Sequence, residues 1–260
     1  MEWREEGIIL GVRRHGETSA MVELVTRSRG RQLGIVRGGR SRKQQPLLQP
    51  GNQVEITCRA RLDEHMGTMT LEPIELRAAR LMETPVGLHG IQLLAGYIRL
   101  LPERDPHPRL YDGLEIIVSH FSDPLEAGEL VLRFEIALLE ELGFGLDLET
   151  CVATGTRENL VYVSPKSGRA VSAEAGAPWH GRMLALPAFL GTMGARADEA
   201  SLADGFRLTR YFLGRHVWAP RGMEEPAARE AMIAAIAKGV AEGAGADANV
   251  TDFKTSSSRP

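Results

Sequence analysis

The chain has 260 residues, 43% hydrophobic and 25% charged, with a formal net charge of -3; this is a globular balance and excludes a basic tail or a disordered polymer. At roughly 100–200 residues per domain, the length allows one large domain or two small ones. Its two cysteines, Cys58 and Cys151, lie far apart and cannot build a disulfide framework, which points to a reducing compartment and a cytoplasmic location.

The amino terminus, Met1-Glu2-Trp3-Arg4-Glu5-Glu6, puts acids where an export signal needs positive charge, so none is expected. Residues 7–77 read as five short strands: Gly7 to Arg14, Ser19 to Thr26, Gln32 to Arg37, Gln53 to Arg61 and Thr68 to Leu76. Each alternates apolar and polar residues in part. Turn chemistry separates them at His15-Gly16-Glu17, Ser28-Arg29-Gly30, Gly38-Gly39, Pro50-Gly51-Asn52 and His65-Met66-Gly67; Pro50-Gly51 suits the centre of a type II turn. Five antiparallel strands in so short a stretch predict a small Greek-key barrel of the OB type, with an SH3-like barrel as the competitor.

From residue 81 the hydrophobic period becomes helical. Helices are expected from Val86 to Leu101, around Leu110, Leu114, Ile117 and Phe121, and through Val131, Phe134, Leu138 and Leu142 to the stop at Gly143. Two more cover Leu202 to Leu213, ending before Pro220, and the alanine-rich run Pro226 to Glu242. The longest apolar stretches, such as Ile91 to Leu101, fall short of the roughly 20 residues that cross a bilayer. The fold class is therefore α+β: an N-terminal barrel domain (1–80) and a helical bundle domain (81–245) with an irregular insertion at about 147–182. The insertion holds one strand, Leu160 to Ser164, and residues 246–260 are expected to form a disordered tail.

The net charge conceals a division. Residues 1–80 hold 14 Lys+Arg and 10 Asp+Glu, whereas residues 81–260 hold 17 and 24, so the two parts carry +4 and -7. Arg27, Arg29, Arg31, Arg37, Arg40, Arg42 and Lys43 form a run with no acid between them, a concentration that draws a polyanion; the same run also reads as a solvated loop. Of the fourteen aromatics only Trp3 lies in residues 1–80. Binding there should be electrostatic rather than by base stacking, with arginines gripping phosphates of single and double strands alike and affinity falling steeply with salt.

Catalytic patterns are missing from the sequence. The loop Arg37-Gly38-Gly39-Arg40-Ser41-Arg42-Lys43 lacks the spaced glycines and Gly-Lys-Ser/Thr end of a nucleotide-binding P-loop. No dinucleotide fingerprint, nucleophile elbow or paired metal-binding histidines occur, and isolated histidines such as His89 and His120 read as surface or packing residues. Cys151 has Thr154 where a C-x-x-C partner would stand, and Ser172 and Ala175 occupy a possible second pair, so neither a metal nor another cofactor is expected.

A resemblance covers nearly the whole chain. Gly7-Ile8-Ile9-Leu10, Arg14-His15-Gly16-Glu17, Gly38-Gly39-Arg40 and Leu48-Gln49-Pro50-Gly51 are followed in order by Arg133-Phe134-Glu135, Leu138-Leu139, Leu142-Gly143-Phe144 and Tyr162 to Arg169. In this order the chain resembles the RecO family, bacterial recombination mediators of the RecF pathway. The resemblance implies a non-enzymatic protein that binds single- and double-stranded DNA and anneals complementary strands. With RecR it would help RecA replace single-stranded-DNA-binding protein, with RecF functionally linked. Many members hold a four-cysteine zinc site in the insertion, of which Cys151 alone remains here; the insertion is then expected to rest on packing through Tyr162 and Trp179.

On this reading the DNA contacts are Arg13, Arg14, Arg27, Arg29, Arg31, Arg37, Arg40, Arg42 and Lys43. Arg59 and Arg61 count for less, because Asp63 and Glu64 follow them. The resemblance also implies a pocket on the helical domain for the acidic, apolar-ended tail of single-stranded-DNA-binding protein. Its candidates are Arg133 beside Phe134, and Arg207, Arg210 and Arg215 among Phe206, Tyr211 and Phe212; the aromatics read equally as core and the arginines as solvated. The competing function is a protein–protein adaptor whose barrel only docks a partner.

Overall fold

A computed structural model describes residues 1–61, 66–191 and 194–256, the side chains of 243–256 excepted. Asp63, Glu64 and His65 lie outside the described residues. The chain divides into two compact units, Met1–Ser122 with Ala137–Phe144, and Asp123–Ile136 with Gly145–Pro260. The expected boundary near residue 80 marks the change from strand to helix, but the helices up to residue 119 belong with the strands.

In the first unit, β1 (Glu2–His15), β2 (Ser19–Thr26), β3 (Gly30–Val36), β4 (Gln53–Arg59) and β5 (Gly67–Glu75) form a closed barrel in the order β1-β2-β3-β5-β4. β1 is long enough to pair with β2 through residues 7–15 and with β4 through residues 2–8, and closure leaves few edge groups unpaired. Along β2, Ala20, Val22 and Leu24 point inward and meet Ile9, Val36, Val54, Ile56 and Met69. Burying each large aliphatic chain contributes roughly 1.5–3 kcal/mol. Gly34 is needed where β3 faces β5, since a Cβ there would stand 2.4 Å from Met69 Sδ.

Three helices follow: α1 (Ala78–Met82), α2 (Pro85–Ile98) and α3 (Pro108–Ser119). Thr84 caps α2 by accepting from the Gly87 N–H at 3.0 Å. Asn52, fully buried, donates to the Pro46 and Leu47 carbonyls, both at 2.9 Å, and accepts from the Ala78 N–H at 2.9 Å. One side chain thereby ties the β3–β4 loop to α1.

α4 (Pro124–Glu141) contributes to both units. The second unit continues with β6 (Leu160–Val163), β7 (Ala170–Ser172), α5 (Ala173–Gly176), β8 (Leu184–Ala185), α6 (Ala188–Gly191), α7 (Glu199–Leu213) and α8 (Ala227–Ser256). The insertion is thus more regular than expected: β7-β6-β8 form a three-stranded sheet. α7 ends at Leu213, before Pro220 as expected. After it come a π turn, Gly214–Trp218, and a 3-10 turn, Ala219–Arg221, which holds Pro220. Residues 246–256, expected as a disordered tail, are the end of α8.

Candidate nucleic-acid interface

The nine candidate cations of the first unit lie at two ends of the barrel. β2 joins those ends, and its eight residues span about 25 Å at roughly 3.3 Å per residue. Arg14 pairs with Ala20 across the β1–β2 hairpin, and Ala20 pairs on its other side with Val36. Arg13, Arg14, Arg37, Arg40, Arg42 and Lys43 are therefore brought to one end. The other holds Arg27, Arg29 and Arg31.

At the first end the β3–β4 loop is fixed to the hairpin. The Arg40 N–H donates to Thr18 O at 3.0 Å, and its Nη1 donates to Gly16 O at 3.0 Å and Glu17 O at 2.6 Å. These are carbonyl acceptors, so the charge on Arg40 is not neutralised. Gly16 and Gly38 have positive φ (59° and 67°) at the two bends. Among the described residues, Arg13, Arg14, Arg37, Arg42 and Lys43 form no ion pair and are exposed, and neither does Glu17, the acid of the hairpin turn. Arg13, Arg14 and Arg40 rim an open groove of about 380 Å³ floored by Val12, Ala20, Leu48 and Pro50.

At the second end each cation faces a carboxylate. Arg27 grips Asp112 through two bonds of 2.8 and 3.1 Å, and its hydrogen bond holds the Asp112 carboxyl below its usual range. Arg29 lies 3.8 Å from Glu5 with its guanidinium over Trp3. Arg31 is largely buried and bonds Glu23 at 3.1 Å. The segment between α2 and α3 also reaches this end, where the Arg104 N–H donates to Arg31 O at 2.9 Å. The acid-free run in sequence is thus split by β3, and its first three cations meet acids brought from elsewhere. Arg59, too, pairs with Glu2 at 3.1 Å.

In the second unit, Arg207 and Arg210 line a groove of about 360 Å³ between α7 and α8, with Ala203, Phe206, Ile233, Ala234 and Ala237. Both are paired, Arg207 with Asp204 and Arg210 with Glu225, the latter at 2.6 Å. Arg215 is not in this groove; it donates to Pro165 O at 2.8 Å. Arg133 bonds Glu129 and the Phe189 carbonyl, and Phe134 is 3% exposed, a core residue that cannot wall an open pocket. The groove's α8 wall of Ile233, Ala234 and Ala237 was not singled out in sequence, although its i, i+1, i+4 spacing is visible there.

The insertion does not fit zinc. Its positions 151, 154, 172 and 175 do converge, but on hydrogen bonds: Ser172 N–H donates to Cys151 Sγ at 3.3 Å, Ser172 Oγ lies 3.6 Å from that sulfur, and Ala175 N–H donates to Ser172 Oγ at 3.4 Å. Burial pushes the Cys151 thiol up, but hydrogen bonds from Thr154 and Ser172 outweigh it and bring the pKa down to about 6. One sulfur with no second soft ligand does not make a zinc site. Among the described residues no cluster of three or more His, Cys, Asp or Glu is placed to hold a metal, and no helix is long and apolar enough to cross a membrane.

A closed barrel with six cations at one end that pair with no carboxylate among the described residues, followed by a helical unit, presents the positive surface common in the class of proteins that attract polyanions. Comparison with known proteins narrows that class. The family model described as Recombination protein O N terminal matches residues 1–77, and Recombination protein O C terminal matches residues 97–222. DNA repair protein RecO of Mesorhizobium japonicum is 62% identical over 239 residues, covering 92% of this chain and 94% of that protein. The protein of the same name from Brucella abortus is 59% identical over 241 residues (92% and 98%), and that from Rhizobium etli 60% over 239 (92% and 93%). The chain belongs to the RecO family and is a DNA-repair recombination mediator.

Proposed function

We propose that the barrel is of the OB type and that its β1–β2 hairpin and β3–β4 loop grip the backbones of single- and double-stranded DNA without base-specific contact. The carrying observation is the set of six cations, Arg13, Arg14, Arg37, Arg40, Arg42 and Lys43, that meet no carboxylate among the described residues. Neutralising the phosphates of two strands while leaving base edges free is what annealing needs, and no catalytic group takes part. In this reading the protein acts with RecR to help RecA displace single-stranded-DNA-binding protein, with RecF linked to the same task. The α7–α8 groove takes that protein's acidic, apolar-ended tail, Arg207 and Arg210 meeting its carboxylates.

The test compares a variant with Arg37, Arg42 and Lys43 changed to Ala against one with Arg27 and Arg29 changed to Ala. At low salt the first should lose at least about tenfold in affinity for an oligonucleotide, and the second less than about twofold. Equal affinity of the first variant and the wild type would sink the assignment. A protein-docking role for the barrel is the second reading. It is favoured by Glu6, Glu55 and Glu72, which stand in register on β1, β4 and β5 with Arg4 bonded to Glu55; such a wall repels DNA and suits a basic protein surface. Under that reading DNA affinity would be absent or insensitive to salt.

A further inference from the structure

Trp179 was expected to support the insertion by packing, and it does not. It is 54% exposed, more than Tyr211 (38%) or Phe144 (37%), whereas Tyr162 does pack: its ring lies against Gly176, where a Cβ would come 2.4 Å from Cδ2. Trp179 sits in the 3-10 turn Ala177–Arg182. In such a turn residues i and i+3 eclipse, so Trp179 and Arg182 share one face, about 6 Å apart along the axis. Arg182 is exposed and forms no ion pair among the described residues; the exposed acid nearest in sequence, Glu174, lies in α5.

The turn is held in place. Ser172 caps α5, Met183 N–H closes on His180 O at 3.3 Å, and β8, which follows at once, pairs with β6. A large apolar ring is thus presented to solvent on a fixed turn with a free guanidinium one step along. The barrel offers no such group, since its one aromatic, Trp3, is half-buried beneath Arg29, 5.1 Å from the ring centroid.

We propose that Trp179 and Arg182 form a contact site for single-stranded DNA, the indole stacking on an unpaired base and the guanidinium taking an adjacent phosphate. The occupant is a single strand because a duplex buries its base faces in its own stack, and because a stacked base with a neighbouring phosphate needs the ring-plus-cation pair this turn offers. The inference rests on the reading that the chain binds DNA, and adds base contact in the insertion to phosphate contact at the barrel.

Three probes test it: an oligo-dT strand, the same backbone made abasic, and a duplex of equal length. Trp179→Ala should weaken oligo-dT binding by about 5- to 100-fold, the range of one stacked base, with abasic and duplex affinities unchanged. Trp179→Phe should keep most of the affinity, and Arg182→Ala should lose part of it on oligo-dT. A Trp179→Ala protein that binds oligo-dT like the wild type overturns the proposal, as does equal loss on all three probes, which would report a structural defect. A wild type that binds none of the probes overturns the DNA-binding reading, and the inference with it.

Discussion

Arg229 is the residue on which the helical unit's interior depends. It is 1% exposed and holds the fully buried Glu135 through bonds of 2.8 and 3.0 Å, Glu225 at 2.7 Å, the Phe206 carbonyl at 3.0 Å and Thr209 Oγ1 at 2.9 Å, between the Phe206 and Trp218 rings. A buried pair is costly to break because the abandoned partner keeps its desolvation penalty. Arg229→Met should therefore destabilise the protein by about 3–5 kcal/mol, and adding Glu135→Met should recover much of the loss. Thermal or urea unfolding of both variants checks this; a double variant no better than the single one would mean that packing, not stranded charge, dominates. Nothing in the local sequence marks Arg229, which sits in an alanine-rich run beside Glu230. Its partner is 94 positions away, and long-range pairing leaves no periodic trace.

At the level of elements, legibility followed periodicity. β2 was read with its observed ends, Ser19 and Thr26, because alternation and bounding turns agree there. The same logic failed for the arginine run, because density along the chain is not density in space: β3 lies within the run and carries its two halves to opposite ends of the barrel. β7 and β8, with three and two residues, are too short to show a period at all. The α7–α8 groove yields a prediction of its own. Each oxygen of Glu225 is engaged, one by Arg229 and one by Arg210, so an acidic peptide seated in the groove must share Arg210 with Glu225. Glu225→Gln keeps an acceptor for Arg229 but removes the competing charge. It should tighten binding of an acidic, apolar-ended peptide by about two- to fivefold, the worth of one exposed ion pair. Fluorescence anisotropy at low salt measures this; unchanged affinity in Glu225→Gln would show that Arg210 is not the group the peptide meets.

For the molecule as a whole, a formal charge of -3 argues against a polyanionic partner only if charge is spread evenly, and it is not. With a Debye length near 10 Å at 0.1 M salt, DNA at the hairpin end of the barrel responds to local cations and hardly at all to acids beyond that range. The three cations at the opposite barrel end, about 25 Å away along β2, are both distant and already paired. Affinity should therefore scale with the six uncompensated cations and not with net charge. If all six meet phosphates, the slope of log K against log salt for a single strand should be about -4, from roughly 0.7 counterions released per contact. Removing Arg37, Arg42 and Lys43 should bring that slope to about -2, while removing Arg27 and Arg29 should leave it unchanged. A titration of oligonucleotide affinity from about 50 to 200 mM salt gives both slopes; a wild-type slope near zero would mean that the cationic end is a solvated loop and not a phosphate grip.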